Sequence, residues 1–108
     1  MARPKAKRVG QQDPVKVDSK RYKVEFENDK VRVLRISYGS HEKSVMHGHP
    51  AGLAVFLTDG HFKFTYPTGK TEEVTGKAGQ AMWFEVTDHL PENLSDKSFE
   101  AIYVELKA

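Results

Sequence analysis

Residues 31–38 read VRVLRISY, a stretch in which apolar and polar side chains alternate. Alternation with a period of two is typical of a strand with one buried face, here the face of Leu34, Ile36 and Tyr38. Residues 61–66, HFKFTY, alternate in the same way. No window of about 11 residues carries the apolar period of a helix. The pattern therefore predicts an all-β chain.

Further stretches rich in β-branched and aromatic residues predict more strands. They cover residues 22–26, 43–48, 53–58, 71–75, 80–86 and 99–106. Turn residues separate them, and Asp59-Gly60 between two apolar runs predicts a two-residue hairpin of type I′. About eight or nine short strands at this spacing are typical of a β-sandwich or a closed barrel.

Composition limits the class of protein. The chain has 108 residues, no cysteine and a formal net charge of +2. That length suits one domain, and a chain without cysteine has no disulfide framework, thiolate zinc site or Cys nucleophile. No apolar run approaches the roughly 18 residues of a membrane span. No apolar stretch follows the basic start either, so we expect a cytoplasmic protein without a membrane partner.

Charge is unevenly distributed along the chain. Residues 1–23 hold eight Lys or Arg and two Asp, whereas the remainder is mildly acidic. We therefore expect a basic arm at residues 1–20 and a folded domain at residues 21–108. The arm could bind phosphates by counterion release, but it has no aromatic side chain before Tyr22 to stack on a base, which makes nucleic-acid binding unlikely. A solvated tail and contact with an acidic neighbour are the alternatives.

Two of the five histidines, His47 and His49, form a pair within a strand-like segment. Residues two apart on a strand project from the same face, so the two imidazoles could bind one metal ion. Two solvated polar side chains on an exposed face explain the pair equally well. A third histidine, His89, follows the predicted strand at residues 80–86 and lies far from the pair in sequence.

Two segments, residues 41–60 and residues 76–93, resemble the two sequence motifs of the cupin family. The matching residues are His47, His49, Gly60, Gly79, His89 and Asn93. With the flanking strands, the resemblance covers roughly residues 22–107. It implies a single cupin-type antiparallel β-barrel, a double-stranded β-helix or jelly roll.

The chain departs from the cupin pattern at one ligand. Cupins carry a Glu shortly after the histidine pair, and Leu53 or Ala54 stands there in this sequence. The remaining set resembles the three-histidine sites of thiol-dioxygenase-like cupins, which implies His47, His49 and His89 as ligands of a divalent transition metal. Neutral imidazoles favour Fe, Ni, Cu or Zn over Mg or Ca. A cupin that has lost its metal and keeps the barrel as a binding pocket is the alternative.

Other residues have two interpretations each. Glu85 is the catalytic candidate, as an acid or base or in place of the missing carboxylate, and otherwise a solvated charge at a strand end. His41 is either a fourth ligand or an exposed loop histidine. We expect His61 in solvent and Trp83, which is flanked by apolar residues, in the core. The candidates for the lining of a pocket are Met46, Phe56, Phe64 and Tyr103.

The resemblance favours a mononuclear metal-dependent enzyme, dioxygenase- or isomerase-like, that acts on a small polar molecule. The alternative is a non-catalytic module that binds a small molecule as a sensor or sequestering protein. Small cupins usually pair through their sheets, which implies a homodimer. In such a dimer the basic arm could cross the acidic body of the partner subunit.

Overall fold

The computed structural model describes residues 12–107, which form one short helix and nine strands. The helix, α1, is Pro14–Val17. The strands are β1 Tyr22–Glu27, β2 Val31–Tyr38, β3 His47–His49, β4 Gly52–Phe56, β5 Gly60–Thr65, β6 Thr71–Gly76, β7 Ala81–Phe84, β8 Thr87–Asn93 and β9 Phe99–Leu106. The predicted all-β class is confirmed.

The strands form two antiparallel sheets that enclose the core. One sheet has the order β1-β2-β9-β4-β7 and the other the order β3-β8-β5-β6. The alternation of β2 places Leu34 and Tyr38 inward, as predicted, and both are at most 2% exposed. They pack in one cluster with Tyr103 of the neighbouring strand β9 and with Phe62 of the other sheet. Burial of these apolar surfaces is the main source of stability.

The predicted hairpin at Asp59-Gly60 is wrong. β4 and β5, on either side of these two residues, belong to different sheets, so the turn carries the chain from one sheet to the other. A type I′ turn needs positive φ at both central residues, and among the described residues positive φ occurs only at His41, Gly69 and Gly79. Gly60 is required for another reason, because a Cβ there would lie 2.5 Å from the ring of Phe99.

Strand β8 is absent from the strands predicted from sequence, because its Pro91 and the polar residues around it suggest a turn. In the structure, the first half of β8 pairs with β3 and the second half with β5. Pro91 is buried opposite Phe64, and its carbonyl accepts a hydrogen bond from the Ser44 backbone N–H at 3.0 Å. Proline has no backbone N–H to donate, so Pro91 joins the sheet through its carbonyl alone.

The expectation that Trp83 lies in the core is wrong as well. Met82 and Phe84 pack against the core from β7, so the residue between them points outward, and Trp83 is 49% exposed. Adjacent residues of a strand point to opposite faces, so Trp83 faces outward because Met82 and Phe84 face the core.

Part of the segment predicted as a basic arm lies against the sheets. Pro14 is buried, Asp18 is 8% exposed, and Asp13 pairs with Arg32 of β2. Residues 1–11 of the predicted arm lie outside the described residues. Within residues 12–107, no helix has the length and apolarity needed to cross a membrane.

Candidate metal centre

Three histidines meet where β3 and β8 run side by side. His47 and His49 point to the same side of β3, and the antiparallel register sets His89 of β8 opposite His47. The three residues are between 0% and 6% exposed, and one ring nitrogen from each lies within 4.8 Å of the others. The residues named from the sequence as metal ligands are therefore brought together in one buried cluster.

The hydrogen bonds of Ser44 determine which nitrogen of His47 faces the cluster. The Ser44 hydroxyl donates to Asp18 Oδ2 at 2.5 Å and lies 3.4 Å from His47 Nδ1. A serine hydroxyl has a single proton. Since the carboxylate takes that proton, Ser44 Oγ is an acceptor towards His47, and Nδ1 of His47 carries the ring hydrogen. The lone pair of His47 Nε2 is then directed at the cluster.

A carboxylate also faces His49. Glu105 Oε2 lies 3.5 Å from His49 Nδ1, an ion-pair contact rather than a hydrogen bond. Burial raises the pKa of Glu105, but its contacts with His49 and with the Arg32 guanidinium outweigh burial and leave that pKa below its ordinary value. An ionised carboxylate only accepts hydrogen bonds, which favours the hydrogen on Nδ1 of His49 and a lone pair on Nε2.

His89 lacks a hydrogen-bonding partner among the described residues. Neither of its ring nitrogens has one, although both are buried. Burial, together with the neighbouring His49 and His47, lowers the pKa of His89 well below its ordinary value. Burial and His49 likewise lower the pKa of His47 to about 3. Both imidazoles are therefore neutral near pH 7, the form that binds metals.

This arrangement fits a metal ion. The Nε2 atoms of His47 and His49 are 3.1 Å apart, a distance that suits a hydrogen bond when one of them carries the hydrogen and a shared cation when both present a lone pair. Two nitrogens bound to one ion at about 2.1 Å are separated by a similar distance. The unpaired nitrogens of His89 complete the set, so His47, His49 and His89 could hold a transition metal.

A cavity between the two sheets adjoins the histidines. Its volume is about 70 Å³, enough for several waters. His49 and His89 form part of its wall, and so does Ala54, one of the two residues that stand where the sequence comparison expects the Glu. Most of the remaining wall is aromatic, contributed by Phe56, Phe62, Phe64, Phe84, Phe99, Tyr22, Tyr38 and Tyr103.

Several residues singled out in the sequence lie away from this cavity. Glu85 is exposed between β7 and β8, and its carboxylate accepts a hydrogen bond from Trp83 Nε1 at 2.8 Å. His41 is exposed in a loop. His61 contacts Glu73 at 2.8 Å on the exposed side of β5, as expected. Of the four predicted lining residues, all except Met46 line the cavity.

Sequence reasoning missed the residues behind the histidines. Glu105 follows Phe99, Ala101 and Tyr103 in the inward positions of β9, and it is 2% exposed. A carboxylate in the buried register of an apolar strand was a signal in the sequence, because buried charges need partners. Asp18 and Ser44 carried no such signal, since both lie outside the regular strands.

Comparison with solved structures identifies the fold. A cupin domain from Bordetella pertussis Tohama I matches with a TM-score of 0.74 at 24% identity, over 81% of this chain and 92% of that one. A double-stranded β-helix protein from Klebsiella pneumoniae matches at 0.61 and 17%, over 77% and 72%. An RmlC-like cupin family protein from Methanocaldococcus jannaschii matches at 0.60 and 17%, over 82% and 83%.

The described residues form a double-stranded β-helix with the cupin fold, which confirms at the level of the fold the resemblance found in the sequence. No family model and no curated protein sequence matches the chain. Because one fold hosts many activities, the function is argued from the site.

Proposed function

We propose that this protein is a small mononuclear metal-dependent enzyme whose ion is held by His47, His49 and His89. The observation that carries the proposal is that three buried imidazoles cluster beside a cavity whose wall includes His49 and His89. Within residues 12–107 the cluster offers three ligands, and neither Leu53 nor Ala54, the candidates for the missing Glu position, adds a fourth. An ion held by these three histidines would have coordination positions left for a substrate, as catalytic metal sites do.

The residues that line the cavity indicate which class of substrate it would accept. A small polar molecule is what the sequence predicts, but the wall is formed mainly by five phenylalanines and three tyrosines. Such a wall favours a small, mainly apolar molecule that carries one polar group to the ion. The bound ion would supply Lewis-acid or redox chemistry to that group.

The residues of the chain orient the substrate and exclude water. The hydroxyls of Tyr22 and Tyr38 are hydrogen-bonded to each other at 2.5 Å, and burial raises the pKa of both, so they stay neutral. The Tyr103 hydroxyl donates to the Pro50 carbonyl at 2.9 Å. The Tyr22 and Tyr38 hydroxyls have two protons between them and use one in their mutual hydrogen bond. The other proton can be donated to a polar substituent of the substrate, so this pair is the candidate for that contact.

One observation favours the alternative, a module that binds a small molecule without turnover. No Asp or Glu is among the described residues that line the cavity, and Glu85, the acid–base candidate from sequence, is exposed. Without a carboxylate, any acid–base step would depend on an ion-bound group or on a tyrosine.

The first experiment is elemental analysis of the chain purified without a histidine tag. We expect about one equivalent of a transition metal per chain, and loss of that metal in a His47→Ala/His49→Ala double variant. A His41→Ala/His61→Ala variant, which removes two exposed histidines, should keep it. Wild-type protein that stays empty after incubation with Fe²⁺, Ni²⁺ and Zn²⁺ would exclude a metal enzyme.

Once metal is bound, a test for catalytic turnover distinguishes the enzyme from the binding module. The Fe²⁺-loaded protein is tested with small aromatic compounds and thiols, with oxygen uptake and product analysis as readouts. Multiple turnovers that require His89 support the enzyme. Saturable, stoichiometric binding of such compounds without product would establish the binding module instead.

We further propose that two copies pair through the outer face of the five-stranded sheet. A row of apolar residues crosses all five strands in register: Phe26, Val33, Val104, Leu53 and Trp83. Phe26 is 53% exposed and Trp83 is 49% exposed. A continuous exposed apolar row is typical of an interface, and a second copy supplies the same row about a two-fold axis.

A further inference from the structure

The four-residue helix α1 is flanked by two aspartates. Asp13 caps its start, accepting a hydrogen bond from the Val15 backbone N–H at 3.0 Å, and Asp18 caps its end. The segment is tied to β3 by the Gly48 N–H, which donates to the Gln12 carbonyl at 2.7 Å. Each aspartate begins a chain of contacts that ends on one histidine of β3.

Asp18 is linked to His47. Its Oδ2 accepts from Ser44, whose oxygen lies 3.4 Å from His47 Nδ1. Arg21 Nη1 donates to both oxygens of Asp18, at 3.0 and 3.2 Å. The guanidinium compensates the charge of the buried carboxylate, so Asp18 remains an acceptor for the Ser44 proton.

Asp13 is linked to His49 through a shared arginine. Arg32 donates to Asp13 at 3.0 and 3.1 Å and to Glu105 at 2.8 and 3.2 Å. The two bidentate contacts hold the guanidinium in one plane and orient Glu105. Glu105 Oε2 in turn lies 3.5 Å from His49 Nδ1.

We propose that α1 and its two flanking aspartates are a positioning element of the metal site. Asp18 acts through Ser44 on His47, and Asp13 acts through Arg32 and Glu105 on His49. The result is that both rings present Nε2 to the same point. This inference rests on the proposed metal site, since it assigns the groups that orient two of its ligands.

Metal binding and the stability of the α1 segment should be coupled in both directions. A segment that favours the metal-binding orientation of two ligands must itself be stabilised when the ion binds. Backbone amides of residues 13–18 should therefore exchange more slowly with solvent in the Zn²⁺-loaded protein than in the metal-free protein.

The first test uses the full chain without metal, so that it does not depend on metal binding. Long-range ¹H–¹⁵N spectra of the imidazoles report which ring nitrogen carries the hydrogen. We expect Nδ1–H for His47 in the wild type, and a gain of Nε2–H in Asp18→Asn, because the asparagine amide can donate to Ser44 and free its proton for His47. An unchanged tautomer in a folded Asp18→Asn protein would overturn the Asp18 link.

The second test is calorimetric titration with Zn²⁺. Removal of a group that orients a ligand typically weakens metal affinity about 10- to 100-fold. We expect a loss in that range for Ser44→Ala and recovery in Ser44→Thr, which restores a hydroxyl. The matched control is Glu73→Gln, which removes a carboxylate from the exposed His61 and should leave affinity unchanged.

The outcomes distinguish the two proposals. If the wild type binds no Zn²⁺ while the tautomers respond as expected, the metal site fails and the link from α1 to the rings stands. If the wild type binds Zn²⁺ and Ser44→Ala binds it equally well, the positioning role is refuted and the metal site stands. Melting curves for each variant confirm that the protein remains folded.

Discussion

His47 of β3 lies directly opposite His89 of β8, and the centroids of their rings are 5.1 Å apart. The two residues come from separate parts of the sequence and meet because the two strands pair antiparallel. Their neighbour His49 completes the cluster at a ring-centroid distance of 5.1 Å from His89. Four predictions follow from this cluster and from the sheets that carry it.

Zn²⁺ should stabilise the protein through these three histidines. A ligand that binds only the folded state at 100 times its dissociation constant adds about 2.7 kcal/mol to the free energy of unfolding. We expect a rise in melting temperature with Zn²⁺ for the wild type and none for His89→Gln. His61→Gln, an exposed substitution, should respond like the wild type. An equal rise in His89→Gln would show that Zn²⁺ binds elsewhere.

Acid should destabilise the metal-free protein. The pKa of His47 is lowered to about 3 and that of His89 is lowered well below its ordinary value. The unfolded chain therefore binds more protons than the folded one as pH falls below about 6.5. Stability is full above that pH and declines below it, by up to about 1.4 kcal/mol per pH unit for each histidine.

The pH dependence is measured by urea unfolding between pH 7 and pH 4. Carboxylates also affect the free energy of unfolding between pH 7 and pH 4. The slopes of the variants are therefore compared with that of the wild type. His47→Gln should show a shallower decline than the wild type, whereas His61→Gln should not. Identical slopes for His47→Gln and the wild type would mean that His47 is not buried in its neutral form.

A charge in the outer apolar row should prevent self-association. Leu53 lies in the row between Val104 and Trp83, so Leu53→Lys places a charge from each copy within the apolar interface. We expect sedimentation to give twice the chain mass of 12.2 kDa for the wild type and one chain mass for the variant. The control Thr71→Lys places the charge on β6 of the other sheet. A monomeric wild type would refute the dimer.

Any side chain at position 60 should destabilise the fold. A Cβ on Gly60 would lie 2.5 Å from Phe99 and 3.1 Å from Phe56, and overpacking of this kind costs about 1–3 kcal/mol. We expect Gly60→Ala to lower the free energy of unfolding by that amount in urea titrations. Ser98→Ala, at an exposed position nearby, should change it by less than about 0.5 kcal/mol. A neutral Gly60→Ala would show that the two rings move aside at little cost.

Some strands could be predicted from the sequence and others could not. The strong alternation of residues 31–38 and 61–66 predicted β2 and β5 and the buried faces that the structure shows. Residues 81–84, AMWF, do not alternate, so the local pattern does not say whether Trp83 or its neighbours Met82 and Phe84 face the core. β8 could not be predicted, because the local preferences of Pro91 and its polar neighbours oppose a strand and are overridden by pairing on both sides.

The sequence by itself determined the local features: which stretches are extended, which side chains share a face, and that His47 and His49 point the same way. These follow from the two-residue period of a strand, which needs no knowledge of distant residues. The tertiary structure decided which strands are neighbours. It placed His89 opposite His47 and Asp18 and Glu105 behind the pair, and it separated Glu85 from the cavity. Strand order and register result from packing between segments distant in sequence, and no local period encodes them.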